Sequence, residues 1–144
     1  MLHCITHLSD PLCSLIADDP VRPDIPIEFR VGLWSNVFVL LDDYGKPTAV
    51  VCARYCDQVP RSVEELAATP QLGTTAVFYT IWSYAPGAGR KLIVAARAWL
   101  LTNRAEIQQF VTLSPPTEMA RVFHLRNGAQ VFSVNSDTVN YIYQ

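Results

Sequence analysis

A short glycine-containing turn, Gly87-Ala88-Gly89, leads from an apolar run into an amphipathic segment. The first N–H groups of a helix have no internal hydrogen-bond partner, and the helix dipole places partial positive charge there. Glycine lets an anion approach the backbone because no Cβ stands in the way. Arg90 and Lys91 fall in the first helical turn, where the dipole disfavours cations unless an anion binds nearby. This order predicts a phosphate-binding site; the alternative is a solvated helix start with two exposed basic side chains.

The residues on either side of this turn have the patterns of a strand and a helix. Residues 75–82 are apolar on both faces, which is typical of a strand in the centre of a sheet. After Gly89, apolar residues recur at helical spacing on one face, and arginines at seven-residue intervals lie on another. Residues 109–113 predict a further strand. A strand, a helix and a strand in succession imply a right-handed crossover between parallel strands.

Further elements are predicted on both sides of this unit. Residues 1–36 contain several prolines and predict short elements joined by loops, with helical turns near 12–17. The remaining predictions are a strand hairpin at 37–41 and 48–55, a short helix at 62–69 with a capping box at Ser62 and Glu65, and a strand hairpin at 131–134 and 138–143.

A second helix is predicted between the strand at 109–113 and the last hairpin. Ser114 followed by Pro115 has the pattern of an N-cap with proline at the first helical position. Gly128 is expected to end the helix as its C-terminal cap. The apolar side of this helix is expected to consist of Met119, Val122, Phe123 and Leu125.

Length and composition indicate one folded unit. Half of the residues are hydrophobic and 17% are charged, which is enough apolar material for a core. With 144 residues, we expect a single domain spanning 1–144. The mixed order of strands and helices predicts an α/β or α+β fold built on one mixed sheet.

Charge and hydropathy exclude several functional classes. A net charge of −2 provides no basic surface for general nucleic-acid binding. No apolar run reaches the roughly 20 residues of a membrane span. The N-terminus lacks the basic start and apolar core of a signal peptide. We therefore expect a soluble, cytoplasmic protein with no membrane or nucleic-acid partner, and its oligomeric state, including a homodimer, stays open.

The cysteines are best interpreted as free thiols. The chain contains Cys4, Cys13, Cys52 and Cys56. In a reducing compartment, disulfides are not expected. A zinc site would join these residues with His3 and His7, but their spacing matches no compact ligand pattern. No metal is therefore expected.

Two motifs in sequence order resemble the GNAT superfamily of acyl-CoA N-acyltransferases. The phosphate-binding signature of that family is Arg/Gln-x-x-Gly-x-Gly/Ala, and residues 84–89 match it except at Tyr84. Its later helix commonly reads Asn-x-x-Ala-x-x-φ-Tyr-x-x-x-Gly-φ, where φ is apolar. The matching positions here are Thr117, Ala120, Phe123, His124, Gly128 and Ala129. By element order the resemblance covers about residues 37–143.

The resemblance implies a fold and an activity. The fold would be one mixed, mostly antiparallel sheet with a central parallel pair and helices on both faces. The activity would be transfer of an acetyl group from acetyl-CoA, or of another acyl group from its CoA thioester, to an amine of a small molecule or a protein. His124 matches the usual tyrosine that donates a proton to the departing CoA thiolate.

The same resemblance implies which residues hold the CoA. The amides of Gly87, Ala88 and Gly89 would bind the pyrophosphate, and Arg90 would add positive charge. The backbone near Trp82, Ser83 and Tyr84 would pair with the pantetheine arm. Thr117, at the position of the family's common Asn, completes the expected cofactor-binding residues.

Several departures from the family pattern support an alternative. Tyr84, Thr117 and His124 replace the residues that the family commonly has. No Asp or Glu lies in residues 75–84, where a base is often found, and the segment before residue 37 is short for an acceptor site. The alternative function is a catalytically degenerate GNAT-like domain that acts as a binding or structural protein. The alternative for His124 is a helix residue packed at the domain surface.

Overall fold

A computed structural model describes residues 1–144. Its seven strands form one sheet in the order β1-β2-β3-β4-β5-β7-β6. The strands are β1 (Leu2–Ile5), β2 (Ser35–Leu41), β3 (Pro47–Cys56), β4 (Thr75–Ser83), β5 (Gln109–Thr112), β6 (Ala129–Val134) and β7 (Val139–Tyr143). The helices are a 3-10 helix at Pro11–Asp18, followed by α1 (Ile27–Arg30), α2 (Val63–Leu66), α3 (Ala88–Asn103) and α4 (Glu118–Arg126). None of these helices combines the length and the hydropathy that a membrane-spanning helix needs.

The sheet has the predicted mixed topology. β4 and β5 pair in parallel, from Thr75 opposite Gln109 to Phe78 opposite Thr112, and every other pair of neighbouring strands is antiparallel. The long helix α3 provides the crossover between the two parallel strands. The expectation of a mostly antiparallel sheet with a central parallel pair is therefore confirmed.

Each face of the sheet is covered by its own apolar cluster. On one face, α3 buries Leu92, Ala96 and Leu100, which are spaced three or four residues apart, against β2 and β3. On the other face, the 3-10 helix and α1 pack against side chains that include Val50 and Val77. Central strands such as β3 are buried on both faces, and this burial explains their continuous apolar sequence.

Helix α4 corrects two of our predictions. It begins at Glu118, with Thr117 as its N-cap, and not after Ser114. The reason is that Pro115 and Pro116 disfavour helical backbone in the residue before each of them. Ser114 remains extended, and its N–H and C=O pair with Val139.

The predicted apolar side of α4 is also largely wrong. Met119 is 84% exposed, and Val122 and Leu125 are among the exposed residues, whereas His124 is 4% exposed. The helix turns the face of Ala120, Phe123 and His124 toward the rest of the domain, where α3 and β7 supply the contacts. Polar His124 is accommodated there because a neighbouring hydroxyl satisfies its ring nitrogen.

Strand β1 is a further difference from the sequence-based expectation. Residues 2–5 pair with β2 in antiparallel register, from Leu2 opposite Leu40 to Ile5 opposite Val37. At four residues, with His3 and Cys4 inside it, this edge strand has too little alternation for its pattern to be detected. The predicted helix at 62–69 is shorter, Val63–Leu66, although Ser62 caps it as expected.

Candidate functional site

The site begins where two parallel strands separate. The last bond between them runs from the Leu113 N–H to the Phe78 carbonyl, at 3.1 Å. Strand β4 contains a bulge here: Cys52 of β3 pairs with Thr80 and Ala53 pairs with Phe78, so Tyr79 has no partner in β3. A bulge bends a strand and increases its twist. It therefore leads β4 away from β5 and opens a slot.

Arg22, from the segment before α1, bridges the two strands at this point. Its Nε donates to the Tyr79 carbonyl at 3.0 Å and its Nη2 to the Leu113 carbonyl at 2.9 Å. One carbonyl belongs to the β4 bulge and the other follows β5. Arg22 thus satisfies two carbonyls that the strand separation would leave without ladder partners.

A buried ion pair fixes the segment that carries Arg22. Asp19 Oδ2 accepts from Arg30 Nη1 at 2.7 Å, and both side chains are fully buried. Asp19 Oδ1 accepts from the Thr80 hydroxyl at 2.8 Å and from the backbone N–H of Val21 and Arg22. Arg30 also donates to the carbonyls of Ile25 and Arg22. The segment is therefore anchored to β4 by charge-assisted hydrogen bonds.

A cavity of about 580 Å³ occupies the slot. Its lining comes from β4, the start of α3, the residues after β5, helix α4, and Pro20 and Val21 of the anchored segment. No Asp, Glu, Lys or Arg side chain lines it. Of the residues implied by the family resemblance, it brings together Trp82, Ser83, Gly89, Thr117 and His124.

The start of α3 offers unpaired backbone donors beside this cavity. Gly87 is the N-cap and has a φ of +75°, a conformation that favours glycine. The amides of Gly87, Gly89 and Arg90 donate to no acceptor in the protein, whereas the Ala88 amide bonds to the Ala85 carbonyl at 3.3 Å. The side chain of Arg90 is exposed. This arrangement can accept an anion such as a phosphate.

Close packing between α3 and α4 explains why residue 89 is a glycine. A Cβ at this position would lie 2.9 Å from Cε1 of Phe123, because α3 and α4 approach each other closely there. A Cβ at Gly87, in contrast, would have no neighbour within 4 Å. Substitution of Gly89 would therefore disturb the packing of two helices, and Gly87 is the better position for testing anion binding.

Tyr84 lies outside the cavity lining, and both Tyr84 and Thr117 form structural hydrogen bonds. The Tyr84 hydroxyl donates to Asp18 at 2.8 Å and accepts from Trp82 Nε1 at 3.0 Å, which ties the end of β4 to the 3-10 helix. The Thr117 hydroxyl accepts from the Ala120 N–H as the cap of α4. Thr117 nevertheless also borders the cavity.

Ser114 is a cavity residue whose position sequence reasoning missed. It is buried, lines the cavity, and donates from its hydroxyl to Thr112 Oγ1 at 2.8 Å. We interpreted it as a helix cap because proline follows it. Its position directly after the strand that borders the slot was the signal that could have indicated a place in the site.

The ring of His124 packs against three aromatic rings. Its ring stacks on Tyr141 at a centroid distance of 5.1 Å and meets Phe123 edge-on. Nδ1 lies 2.7 Å from the Tyr143 hydroxyl. Burial lowers the pKa of His124 to about 4, so the imidazole is neutral at pH 7.

This burial predicts a pH dependence of stability. Below about pH 6.5 the imidazole of the unfolded chain takes up a proton, whereas the folded chain resists protonation until about pH 4. The free energy of unfolding should therefore fall by about 3 kcal/mol between pH 7 and pH 4 on account of His124. Urea unfolding across this range measures the effect, with the non-titrating variant His124→Phe as the reference. An equal pH dependence in the two proteins would contradict this prediction.

Comparison with known proteins yields structural matches only. The sequence matches no protein-family model and no curated protein. Malonyl-CoA decarboxylase from Rhodopseudomonas palustris matches with a TM-score of 0.77 and 17% identity over 99% of this chain and 59% of that one. GCN5 from Tetrahymena matches with a TM-score of 0.62 and 13% identity over 99% of this chain and 96% of that one. PaiA N-acetyltransferase from Thermoplasma acidophilum, solved in complex with coenzyme A, matches with a TM-score of 0.56 and 10% identity. This match covers 78% of this chain and 62% of that one.

The chain has the GNAT acyl-CoA acyltransferase fold, as the sequence motifs predicted. It spans 35% to 60% of the length of the malonyl-CoA decarboxylases that it matches. The name of the matched decarboxylases refers to malonyl-CoA, and the name of PaiA refers to acetyl transfer.

Proposed function

We propose that this chain binds an acyl-CoA, with its phosphates at the start of α3 and its acyl group beside His124, and that it decarboxylates a malonyl-type acyl group. One observation carries the proposal: a neutral imidazole and unpaired helix amides border one cavity that has no charged side chain in its lining. The fold likeness to malonyl-CoA decarboxylase supports it.

The chemistry fits such a cavity. In the reaction the bond between the α-carbon and the carboxylate breaks, CO₂ leaves, and the electron pair forms a thioester enolate. The enolate is then protonated at carbon by a proton from solvent, which gives acetyl-CoA. A neutral hydrogen-bond donor such as His124 would stabilise the enolate oxygen. An apolar lining replaces the water that would otherwise favour the carboxylate over CO₂.

The second candidate is acetyl transfer from acetyl-CoA to an amine, and the likeness to CoA-bound PaiA N-acetyltransferase supports it. This reaction must remove a proton from the amine and give one to the thiolate. Because burial lowers its pKa to about 4, His124 is neutral at pH 7 and holds no acidic proton to give to the thiolate. No acidic side chain in the cavity lining supplies the missing proton. We therefore rank amine acylation second.

Product analysis separates these functions. Malonyl-CoA is incubated with the purified chain, and acetyl-CoA is incubated with it and a panel of small amines and amine-bearing peptides. We expect malonyl-CoA to give equal amounts of acetyl-CoA and CO₂. Release of free CoA that depends on an amine would instead support acyl transfer. Binding of both thioesters with no product would support the degenerate, binding-only alternative.

Gly87 provides a test of where the phosphates bind. Gly87→Asp adds a carboxylate beside the free amides, and we expect the Kd for malonyl-CoA to rise about tenfold or more, because like charges repel and the amides are partly satisfied. Gly87→Asn is the matched control, since Asn and Asp tolerate a positive φ to a similar degree. Isothermal calorimetry measures both. Equal affinities in the two variants would place the phosphates elsewhere.

A further inference from the structure

Tyr143 provides the one hydrogen bond that the ring of His124 makes with the protein. The hydroxyl lies on β7, 2.7 Å from Nδ1, and both side chains are 4% exposed. The hydroxyl makes no other hydrogen bond. Nε2 makes no hydrogen bond within the protein and is partly accessible to solvent. The ring therefore has one nitrogen bound to the protein and one free to face the cavity.

The hydrogen bonds that His124 and Tyr143 can form decide which ring nitrogen carries the proton. If Nδ1 carried the proton, it would donate to the Tyr143 oxygen, and the buried O–H would have no acceptor. If the O–H donates to Nδ1, both groups are satisfied and the proton of the neutral ring is on Nε2. Leaving a buried donor unpaired is energetically unfavourable, and this cost selects the second arrangement.

We propose that Tyr143 is a positioning residue that holds His124 in its Nε2–H tautomer, so that a neutral N–H donor points into the cavity. The inference rests on the proposed function, because it specifies what His124 offers to the acyl group. An N–H donor at this place would bind the oxygen of a thioester or of its enolate. The opposite tautomer would present a lone pair, which repels that oxygen and favours proton abstraction.

Tyr141 provides a matched control. It lies two residues before Tyr143 on the same strand and stacks on the His124 ring, with 28° between the ring planes. Its hydroxyl makes no hydrogen bond with the imidazole. Tyr141→Phe and Tyr143→Phe therefore each remove one oxygen from a ring packed against His124, and only the second removes the hydrogen bond.

The tautomer is read from the ¹⁵N chemical shifts of the His124 ring, measured by long-range ¹H–¹⁵N NMR on labelled protein. We expect protonated Nε2 and unprotonated Nδ1 in the unmodified chain and in Tyr141→Phe. In Tyr143→Phe we expect the Nδ1–H form to become populated. A protonated Nδ1 in the unmodified chain would overturn the proposal, and this measurement stands even if a variant fails to fold.

Kinetics with malonyl-CoA provide the second readout. Tyr143→Phe should lower kcat about tenfold with KM nearly unchanged, while Tyr141→Phe leaves both nearly unchanged. An unchanged tautomer in Tyr143→Phe would overturn the positioning role whatever the rates are. If the unmodified chain turns over no malonyl-CoA, the proposed reaction fails, and the NMR result still decides the role of Tyr143.

Discussion

His124→Phe should lower kcat for malonyl-CoA by about 10²–10³-fold, the usual effect of removing one hydrogen-bond donor from a developing oxyanion. Phenylalanine keeps an aromatic ring between Tyr141 and Phe123 while removing both ring nitrogens. The Kd for CoA should change little, because the unpaired amides lie on a different helix. Steady-state kinetics and calorimetry on the same preparation measure the two quantities.

The variant leaves the Tyr143 hydroxyl without a partner, so its stability needs a control. The double variant His124→Phe/Tyr143→Phe removes both partners and should regain part of any lost stability. If kcat is unchanged in either variant, His124 has only a packing role. If CoA affinity falls with kcat, His124 belongs to the binding surface instead.

Asp19→Ala should destabilise the chain by about 3–5 kcal/mol, because it leaves the fully buried guanidinium of Arg30 without a counter-charge. Asp24→Ala is the matched control in the same segment, where the carboxylate is exposed and forms no ion pair. Chemical denaturation measures both. A loss below about 1 kcal/mol for Asp19→Ala would mean that Arg30 reaches solvent or finds another partner.

Local sequence patterns were sufficient for the elements that build the slot. The apolar run at 75–82, the glycine turn and the amphipathic helix each depend on residues close together in the chain, and the structure has them as β4 and α3. The parallel pairing of β4 with β5 followed from the helical crossover between them.

The contacts that complete the site could not be predicted in this way. Asp19 bonds to Thr80, 61 residues away, and Arg22 bonds to Leu113, 91 residues away. The periodicity of a local sequence pattern cannot predict a contact between residues so far apart in the chain. The burial of His124 could not be predicted for a similar reason. This polar residue faces inward because it forms a hydrogen bond with Tyr143, which lies on a strand later in the chain.

The Arg22 bridge has a consequence for ligand affinity. The guanidinium satisfies the Tyr79 and Leu113 carbonyls, so the two strand ends stay apart without leaving these acceptors unpaired. A thioester bound as we propose would not have to separate paired strands, so binding free energy would not be spent on rearranging the sheet. The proposed site would then be preorganised, and residues far from the start of α3 would contribute to affinity without contacting the phosphates.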